Sequence, residues 1–418
     1  MENKILSISV AAYNVEKFID RTLSSLIVSR EYIDKLDVIV VDDGSKDKSF
    51  EIAQKYVDRY PESFRIIKKE NGGHGSTLNV SVREAKGKYF KMLDGDDWYD
   101  KNELESLIKK LEDINVDIVL CPYNRVYEIS GKNELINRHN LQYEKEYTFS
   151  NIGNNMLEDV HAAEMTVRTN VLKNKDFRIS ENCAFTDDEY VFEAILYANS
   201  YMKLKNVVYQ YRIELAGQTV SEYGRKKYWL DAGYVATEMT KKLAMERDCV
   251  ICEEHLQLLT RFIKKSIEFQ CQNFAYADDM GLCEEEYEKF TRNLQSADKD
   301  FFEYIKRTSF NYNWWKWLFS VKRLIEDNQC VVFGAGKYAE RIEKYLESKK
   351  IEILCFLDNN ESFWGKDYLN KIVLNPQDVL KTYKNTKIII AIKNHPEQIE
   401  QQLLSMGVSA DRIIMFRK

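Results

Sequence analysis

Two carboxylates one residue apart, Asp94 and Asp96, flank Gly95 just after a short hydrophobic run, with Asp97 directly behind them. On a tight loop, that spacing suits a hard divalent cation, Mg2+ or Mn2+, which takes one or two carboxylates and fills its remaining positions with substrate oxygens. Such an ion would neutralise an incoming phosphate that the acids alone would repel. A unit charge held at about 4 Å is worth roughly 4 kcal/mol at an effective dielectric of 20. The plainer reading of the same residues is an acidic turn that caps a helix starting near Lys101.

A second acidic group, Asp187-Asp188-Glu189, stands just before an apolar helical run over 190–197. Adjacent acids raise one another's pKa, which suits one of them to accept a proton near neutral pH. Acids placed only to complement a helix dipole are the alternative. Three further polar stretches punctuate the first hundred residues: Ala12-Tyr13-Asn14, Asp42-Asp43-Gly44-Ser45 and Asn71-Gly72-Gly73-His74-Gly75.

The elements that must position these groups alternate. Residues 5–12, 36–41, 64–68, 89–93 and 117–121 read as strands, and 15–28, 47–60, 76–85 and 101–114 as helices. That order predicts an α/β fold with a mainly parallel sheet and helices on both faces. Ligands bind an open parallel sheet at the carboxyl ends of its strands. Each of the first four strands runs into one of the polar stretches, so one sheet edge collects them all.

The segments SISVAAYNVEKFIDRTLSSL, VIVVDDGSKDKS, ENGGHGSTLNVSVREAKGKYF and KMLDGDDW, in that order and spacing, resemble glycosyltransferase family 2 with its GT-A fold over about residues 4–222. Two departures stand out. Ala11 replaces a frequent proline, and His74-Gly75-Ser76-Thr77 replaces a run of small residues with arginine. The resemblance implies inverting, metal-dependent transfer from a nucleotide-sugar, a UDP-sugar, to a hydroxyl of a saccharide, polyol-phosphate or lipid-linked acceptor in bacterial surface polysaccharide synthesis. It implies that Ala12, Tyr13 and Asn14 lie beside the base and ribose. Asp42 or Asp43 would accept a hydrogen bond from the uracil imide, while Asn71, Gly72 and Gly73 let backbone approach the donor. Asp94 and Asp96 would hold the metal, with Asp94 and Gly95 also against the donor nucleotide.

His74 would touch the diphosphate or the acceptor, although a structural loop histidine is an equal reading. The 186–188 cluster is similar to the family's acidic pair with Thr186 in the first place, which makes Asp187 the candidate base and Asp188 the reserve. The stretches Tyr209-Gln210-Tyr211-Arg212 and Gln218-Thr219-Val220-Ser221 are similar to the segment that closes over the donor, where Arg212, Gln218 and Ser221 would contact the diphosphate. Two competing readings are a sugar-nucleotide pyrophosphorylase, which would need a glycine-rich basic signature near the start, and a non-catalytic nucleotide-binding assembly protein.

Beyond the catalytic section 1–222, long charged helical patterns over 226–246 and 254–274 suggest a helical connector, 223–327. Then Cys330-Val331-Val332-Phe333-Gly334-Ala335-Gly336, a helix, a strand over 353–357 and Asp358 form a strand–glycine–helix unit. These are ingredients of a dinucleotide-binding half. Residues 328–418 hold one such half, so a Rossmann-like structural or assembly domain is expected, with nucleotide binding and a homo-oligomer both left open to it. The aromatic stretch 310–319, followed by Lys322 and Arg323, reads as a helix packed against other elements, with peripheral contact at a membrane surface as the alternative.

The 61 basic and 67 acidic residues leave a net charge of −6, which gives no basic face for nucleic acid. No apolar run approaches the roughly 20 residues of a membrane span. With no cleavage pattern at the start, a cytoplasmic chain is expected. The eight cysteines then read as free thiols, and the lone Cys249/Cys252 pair lacks the further ligands of a zinc site.

Overall fold

The computed structural model describes residues 4–151, 157, 159–173, 177–213, 218–219, 221–325 and 327–417. The chain divides into two compact units, residues 1–267 and 268–418. The helical section foreseen at 223–327 is thus shared between them.

In the first unit, β1 (Leu6–Ala12), β2 (Leu36–Asp42), β3 (Phe64–Lys68) and β4 (Tyr89–Asp94) lie side by side and parallel, in the order β3-β2-β1-β4. Strands β1 and β2 are buried almost throughout, as expected for strands covered on both faces. The crossovers carry α1 (Ile19–Ser24), α2 (Arg30–Ile33), α3 (Ser49–Arg59) and α4 (Gly73–Glu84). After β4 come the two-residue strand β5 (Trp98–Tyr99) and α5 (Lys101–Asp113). The α5 cap is Asp100, whose carboxylate accepts the Glu103 N–H at 3.0 Å. The acids of 94–97 are therefore not needed to cap that helix.

The sheet departs from the expected five-strand parallel order. β6 (Ile118–Leu120) does not sit next to β4, because β10 (Met165–Arg168) inserts between them, antiparallel to both. Residues 123–213 supply the rest: β7 (Tyr123–Tyr127), β8 (Asn133–Ile136), β9 (Glu146–Thr148), α6 (Thr169–Lys173), α7 (Thr186–Tyr197), β11 (Ser200–Lys203) and β12 (Tyr209–Ile213). The main sheet has eight strands, and β5-β12-β7-β8 form a second. Strands β7 to β12 are three to five residues long, too short for alternation to reveal them. Strand β12 starts at Tyr209, and α7 starts four residues before the apolar run, so its acids occupy its first turn. Helices α8 (Glu222–Lys227), α9 (Asp231–Met245) and α10 (Glu253–Asn273) follow.

The second unit contains α11 (Met280–Ala297), α12 (Lys299–Thr308) and α13 (Phe310–Ser320). Its six-stranded sheet is built from β13 (Gln329–Phe333), β14 (Glu352–Leu357), β15 (Asp367–Tyr368), β16 (Lys371–Leu374), β17 (Lys387–Ile390) and β18 (Ile413–Met415), in the order β15-β16-β14-β13-β17-β18. All its pairings are parallel except β15 with β16. Helices α14 (Lys337–Ser348), α15 (Pro376–Thr382) and α16 (Pro396–Ser405) link the strands. The aromatic stretch is α13, with Tyr312, Trp314, Trp315, Leu318 and Phe319 buried. Trp315 stacks on Phe319, and the Tyr345 hydroxyl donates to the Phe319 carbonyl at 2.9 Å. One face of this helix is interior.

No helix among the described residues is long and apolar enough to cross a membrane. The cysteines are free, and no described group of three or more His, Cys, Asp or Glu has metal-holding geometry.

Candidate functional site

The loops that follow β1, β2 and β3 are stitched into one floor. Asn14 adopts a left-handed backbone (φ 54°), and its side-chain carbonyl accepts the Lys46 N–H at 2.8 Å while its own N–H donates to Ser45 Oγ at 3.1 Å. The Asp43 N–H donates to the Ala12 carbonyl at 2.9 Å. The Asp43 carboxylate is fully engaged, by Lys69 Nζ at 2.7 Å and by the N–H groups of Gly72 at 2.9 Å and Gly73 at 2.8 Å. Asn71 returns a bond to the Asp43 carbonyl at 2.9 Å. Asp42 differs: Oδ1 accepts only a long 3.3 Å bond from the Ser45 N–H, and buried Oδ2 has no hydrogen-bond partner. Tyr13 projects from this floor, 47% exposed.

The acidic loop after β4 is braced from below. The Tyr209 hydroxyl lies 2.8 Å from Asp97 Oδ2 and 3.2 Å from Asp94 Oδ2, and Asp97 Oδ1 accepts the Arg212 N–H at 2.7 Å. Arg212 Nε donates to the Asp96 carbonyl at 2.7 Å, and its guanidinium pairs with Glu128 between the rings of Phe18 and Trp98. Gly95 is required here, because a Cβ would lie 2.5 Å from the Ala11 carbonyl. Asp97 is the buried brace, and burial with the Asp96 and Asp94 charges pushes it well above the usual carboxylate range. Asp96 is half-buried, and burial followed by the Asp94 charge raises it to about 6. Two acids on one loop raise the cost of ionising both.

His74 bridges this loop to α7. Its Nε2 stands 3.3 Å from Asp94 Oδ1, and its Nδ1 lies 3.3 Å from Thr186 Oγ1. Burial opposes charge on the imidazole, but the Asp94 carboxylate outweighs it and raises the proton affinity of His74, with Asp187 and Asp43 adding to the effect. A latch holds the two sides together. The Asn182 N–H donates to the Gly72 carbonyl at 2.6 Å, and Asn79 bonds both the carbonyl and the N–H of Ile179, at 2.9 and 3.0 Å. Gly75 lies so close to this segment that a Cβ would stand 1.9 Å from the Ser180 carbonyl oxygen.

The two candidate bases look different ways. The Asp187 charge is felt by His74, His161 and Tyr211. Asp188 interacts with Lys265 and Asp159, and burial together with Asp187 raises it to about 7. His161 stacks on Tyr123 (centroids 5.2 Å apart) and leans on Tyr211, with Nδ1 accepting the Ala163 N–H at 3.2 Å. Burial lowers its proton affinity, partly offset by Asp187.

Of the residues expected from the sequence, Ala12, Asn14, Asp42, Asp43, Asn71, Gly72 and Gly73 make the floor, and Asp94, Gly95, Asp96, His74, Arg212 and Asp187 gather above it. Gln218 donates to the Arg212 carbonyl at 2.9 Å, and the Ser221 hydroxyl caps α8 by accepting the Gly224 N–H at 3.1 Å. Val220, between them, lies outside the described residues. His161 and the brace Asp97–Tyr209 were not singled out as site groups. A lone histidine in a motif-free stretch gives no signal, because β10, which begins just after it, enters the sheet from far along the chain. In the second unit, Asp358 Oδ2 accepts the Ala335 N–H at 3.1 Å and the Tyr368 hydroxyl donates to the Gly336 carbonyl at 3.1 Å. That glycine loop is thus bonded to its own neighbours.

Comparison with known proteins bears on the family and the fold. Residues 7–171 match the family described as glycosyl transferase family 2, and residues 326–414 match C2185-like, N-terminal. The putative glycosyltransferase EpsH of Bacillus subtilis is 27% identical over 268 residues, 63% of this chain and 75% of that protein. The poly(ribitol-phosphate) beta-N-acetylglucosaminyltransferase TarS of Staphylococcus aureus is 24% identical over 284 residues, 64% of this chain but only 45% of TarS. The crystal structure of S. aureus TarS 1-349 in complex with UDP-GlcNAc superposes with a TM-score of 0.53 at 19% identity, covering 83% of this chain and 90% of that one. At that identity the likeness concerns the fold.

Proposed function

We propose that this chain, whose residues 7–171 match the family described as glycosyl transferase family 2, transfers a sugar from a UDP-sugar, with inversion, to a hydroxyl of a cell-surface glycan or polyol-phosphate acceptor. The observation that carries the reading is the His74 bridge, 3.3 Å from Asp94 on one side and 3.3 Å from Thr186, next to Asp187, on the other. It brings a candidate cation loop and a candidate base to one site. Names borne by relatives support the substrate class: TarS acts on poly(ribitol phosphate), and its crystallised partner is UDP-GlcNAc.

In this reading the uracil and ribose rest on the floor formed by Ala12, Tyr13, Asn14 and Asn71. Asp42 is the better acceptor for the uracil imide, since it keeps an oxygen without a partner while Asp43 is saturated. Asp94 and Asp96 offer the donors a divalent cation takes, two carboxylates one residue apart on the loop after β4, with further positions left to substrate oxygens. Bound there, Mg2+ or Mn2+ would supply charge stabilisation to the departing diphosphate. Asp187 accepts the acceptor hydroxyl proton, and the freed oxygen attacks the anomeric carbon from the face opposite the diphosphate. His74 stands beside the Asp94 carboxylate and borders the same space. Arg212 and Asp97 keep the loop from collapsing onto the acids it carries.

A screen of nucleotide sugars for UDP release by the full chain, with and without EDTA, tests this. Hydrolysis of one UDP-sugar that stops in EDTA is expected. Full turnover in EDTA would remove the cation from the account, and no turnover together with no UDP binding by calorimetry would overturn it.

A further inference from the structure

The second unit carries a groove of about 820 Å3 that the transfer chemistry does not use, bounded by α12, α13, the segment after β17 and the C-terminal residues. Phe310, Asn313, Trp317 and Ser320 line it at spacings of three, four and three residues, so one stripe of α13 forms its wall from end to end. At 1.5 Å per residue that wall is about 15 Å long, more than a single phosphate or monosaccharide spans. Five cations border it, Lys306, Arg307, Lys316, Lys393 and Arg417, and no Asp or Glu is among the described lining residues. Glu303 pairs with Lys306 and Glu400 with Arg417, both from outside the lining. Among the described residues no ion pair joins Arg307, Lys316 or Lys393 to a carboxylate, and all three are exposed. On a chain of net charge −6, this basic lining runs against the overall charge.

The aromatic groups set the ligand's other half. Phe310 and Phe416 meet edge-on with centroids 5.2 Å apart, Trp317 lies 6.0 Å from Phe416, and Lys393 Nζ sits 4.7 Å from the Phe310 ring. These rings and Lys306 are half-buried, while Arg307, Lys316, Lys393 and Arg417 are exposed. A bilayer would demand the opposite, protruding apolar side chains on a convex face. None of the exposed large apolar residues lines the groove. A concave channel with aromatic faces and spaced cations suits an elongated chain that alternates phosphate with carbon-rich units.

We propose that this groove binds a linear phosphodiester-linked polyol or sugar chain, at a site separate from the transfer site. The claim rests on the groove alone and stands whether or not donor hydrolysis is found.

The test uses the full chain and a fluorescent poly(glycerol phosphate) oligomer of about ten units, with neutral dextran, inorganic phosphate and phosphatidylglycerol vesicles as comparators. Oligomer binding is expected to weaken with added NaCl, to resist inorganic phosphate at equal phosphate concentration, and to exceed binding of dextran. The Lys316→Glu/Lys393→Glu variant, with its melting temperature checked, should lose about tenfold or more in oligomer affinity while releasing UDP from the donor at the wild-type rate. Unchanged oligomer affinity in the folded variant would overturn the proposal. So would displacement by inorganic phosphate, equal binding of dextran, or binding of vesicles without binding of oligomer.

Discussion

Asp187 and Asp188 are neighbours in sequence, yet the structure gives them different surroundings. The first acts electrostatically on His74, His161 and Tyr211, and the second on Lys265 and Asp159. A general base contributes about 10²–10⁴-fold to rate. Asp187→Asn is therefore expected to lower kcat by that order with UDP affinity little changed, and Asp188→Asn to cost far less. A dead Asp188→Asn beside an active Asp187→Asn would shift the base by one residue. A loss below about threefold in both, well under the range for a general base, would make them helix-terminus acids. The residues legible in the sequence were those whose chemistry depends on local spacing, as at Asp94 and Asp96. Asp43 was legible as a site acid, but its role was not: its carboxylate ties one loop to the next through Lys69, Gly72 and Gly73, contacts that only the folded chain defines.

Among elements, α4 and α7 decide the shape of the site, and each offers a test. Replacing Gly75 by alanine would force a Cβ to 1.9 Å from the Ser180 carbonyl, a backbone atom that cannot simply rotate away. Overpacking of this kind typically costs about 1–3 kcal/mol. Gly75→Ala should thus lower the melting temperature and reduce kcat further by displacing the latch before Asp187, whereas Gly131→Ala, with open space around it but a left-handed backbone (φ 69°), should cost stability and leave kcat unchanged. The second test concerns Glu193 on α7, 1% exposed and 3.4 Å from Lys242 of α9. Burial raises its pKa from 4.5 to about 8, so the folded state holds a proton that the unfolded chain releases. Stability then falls as pH rises through that window. Glu193→Gln should lose less melting temperature than the wild type between pH 5 and pH 8, and an unchanged slope would contradict this. The four parallel strands and their loops were legible because long apolar runs end in polar, glycine-bearing turns. Strand β10 was not, since Met165–Arg168 is four residues long and takes its place only by pairing with strands about 45 and 75 residues earlier.

At the scale of the molecule, the match to a glycosyltransferase domain covers residues 7–171 and a second match covers 326–414, leaving the helices between them to a section whose sequence showed only charge and helical period. The aromatic stretch illustrates the limit. Its spacing fitted both an interior helix and a membrane-facing one, and the structure buries Trp314 and Trp315 while leaving Trp317 on the groove wall. One chain thus carries an acidic site on the first unit and a basic groove on the second, so added salt should weaken polymer binding at the groove more than turnover of the donor.

The measurement that bears most directly on the central claim is the anomeric configuration of the sugar released from whichever UDP-sugar the full chain hydrolyses, read by proton NMR before mutarotation. Direct displacement assisted by Asp187 requires the configuration opposite to that of the donor, so an α-linked donor should yield β sugar first. Initial release of the α anomer would mean two displacements or a different face of attack, and would contradict the account.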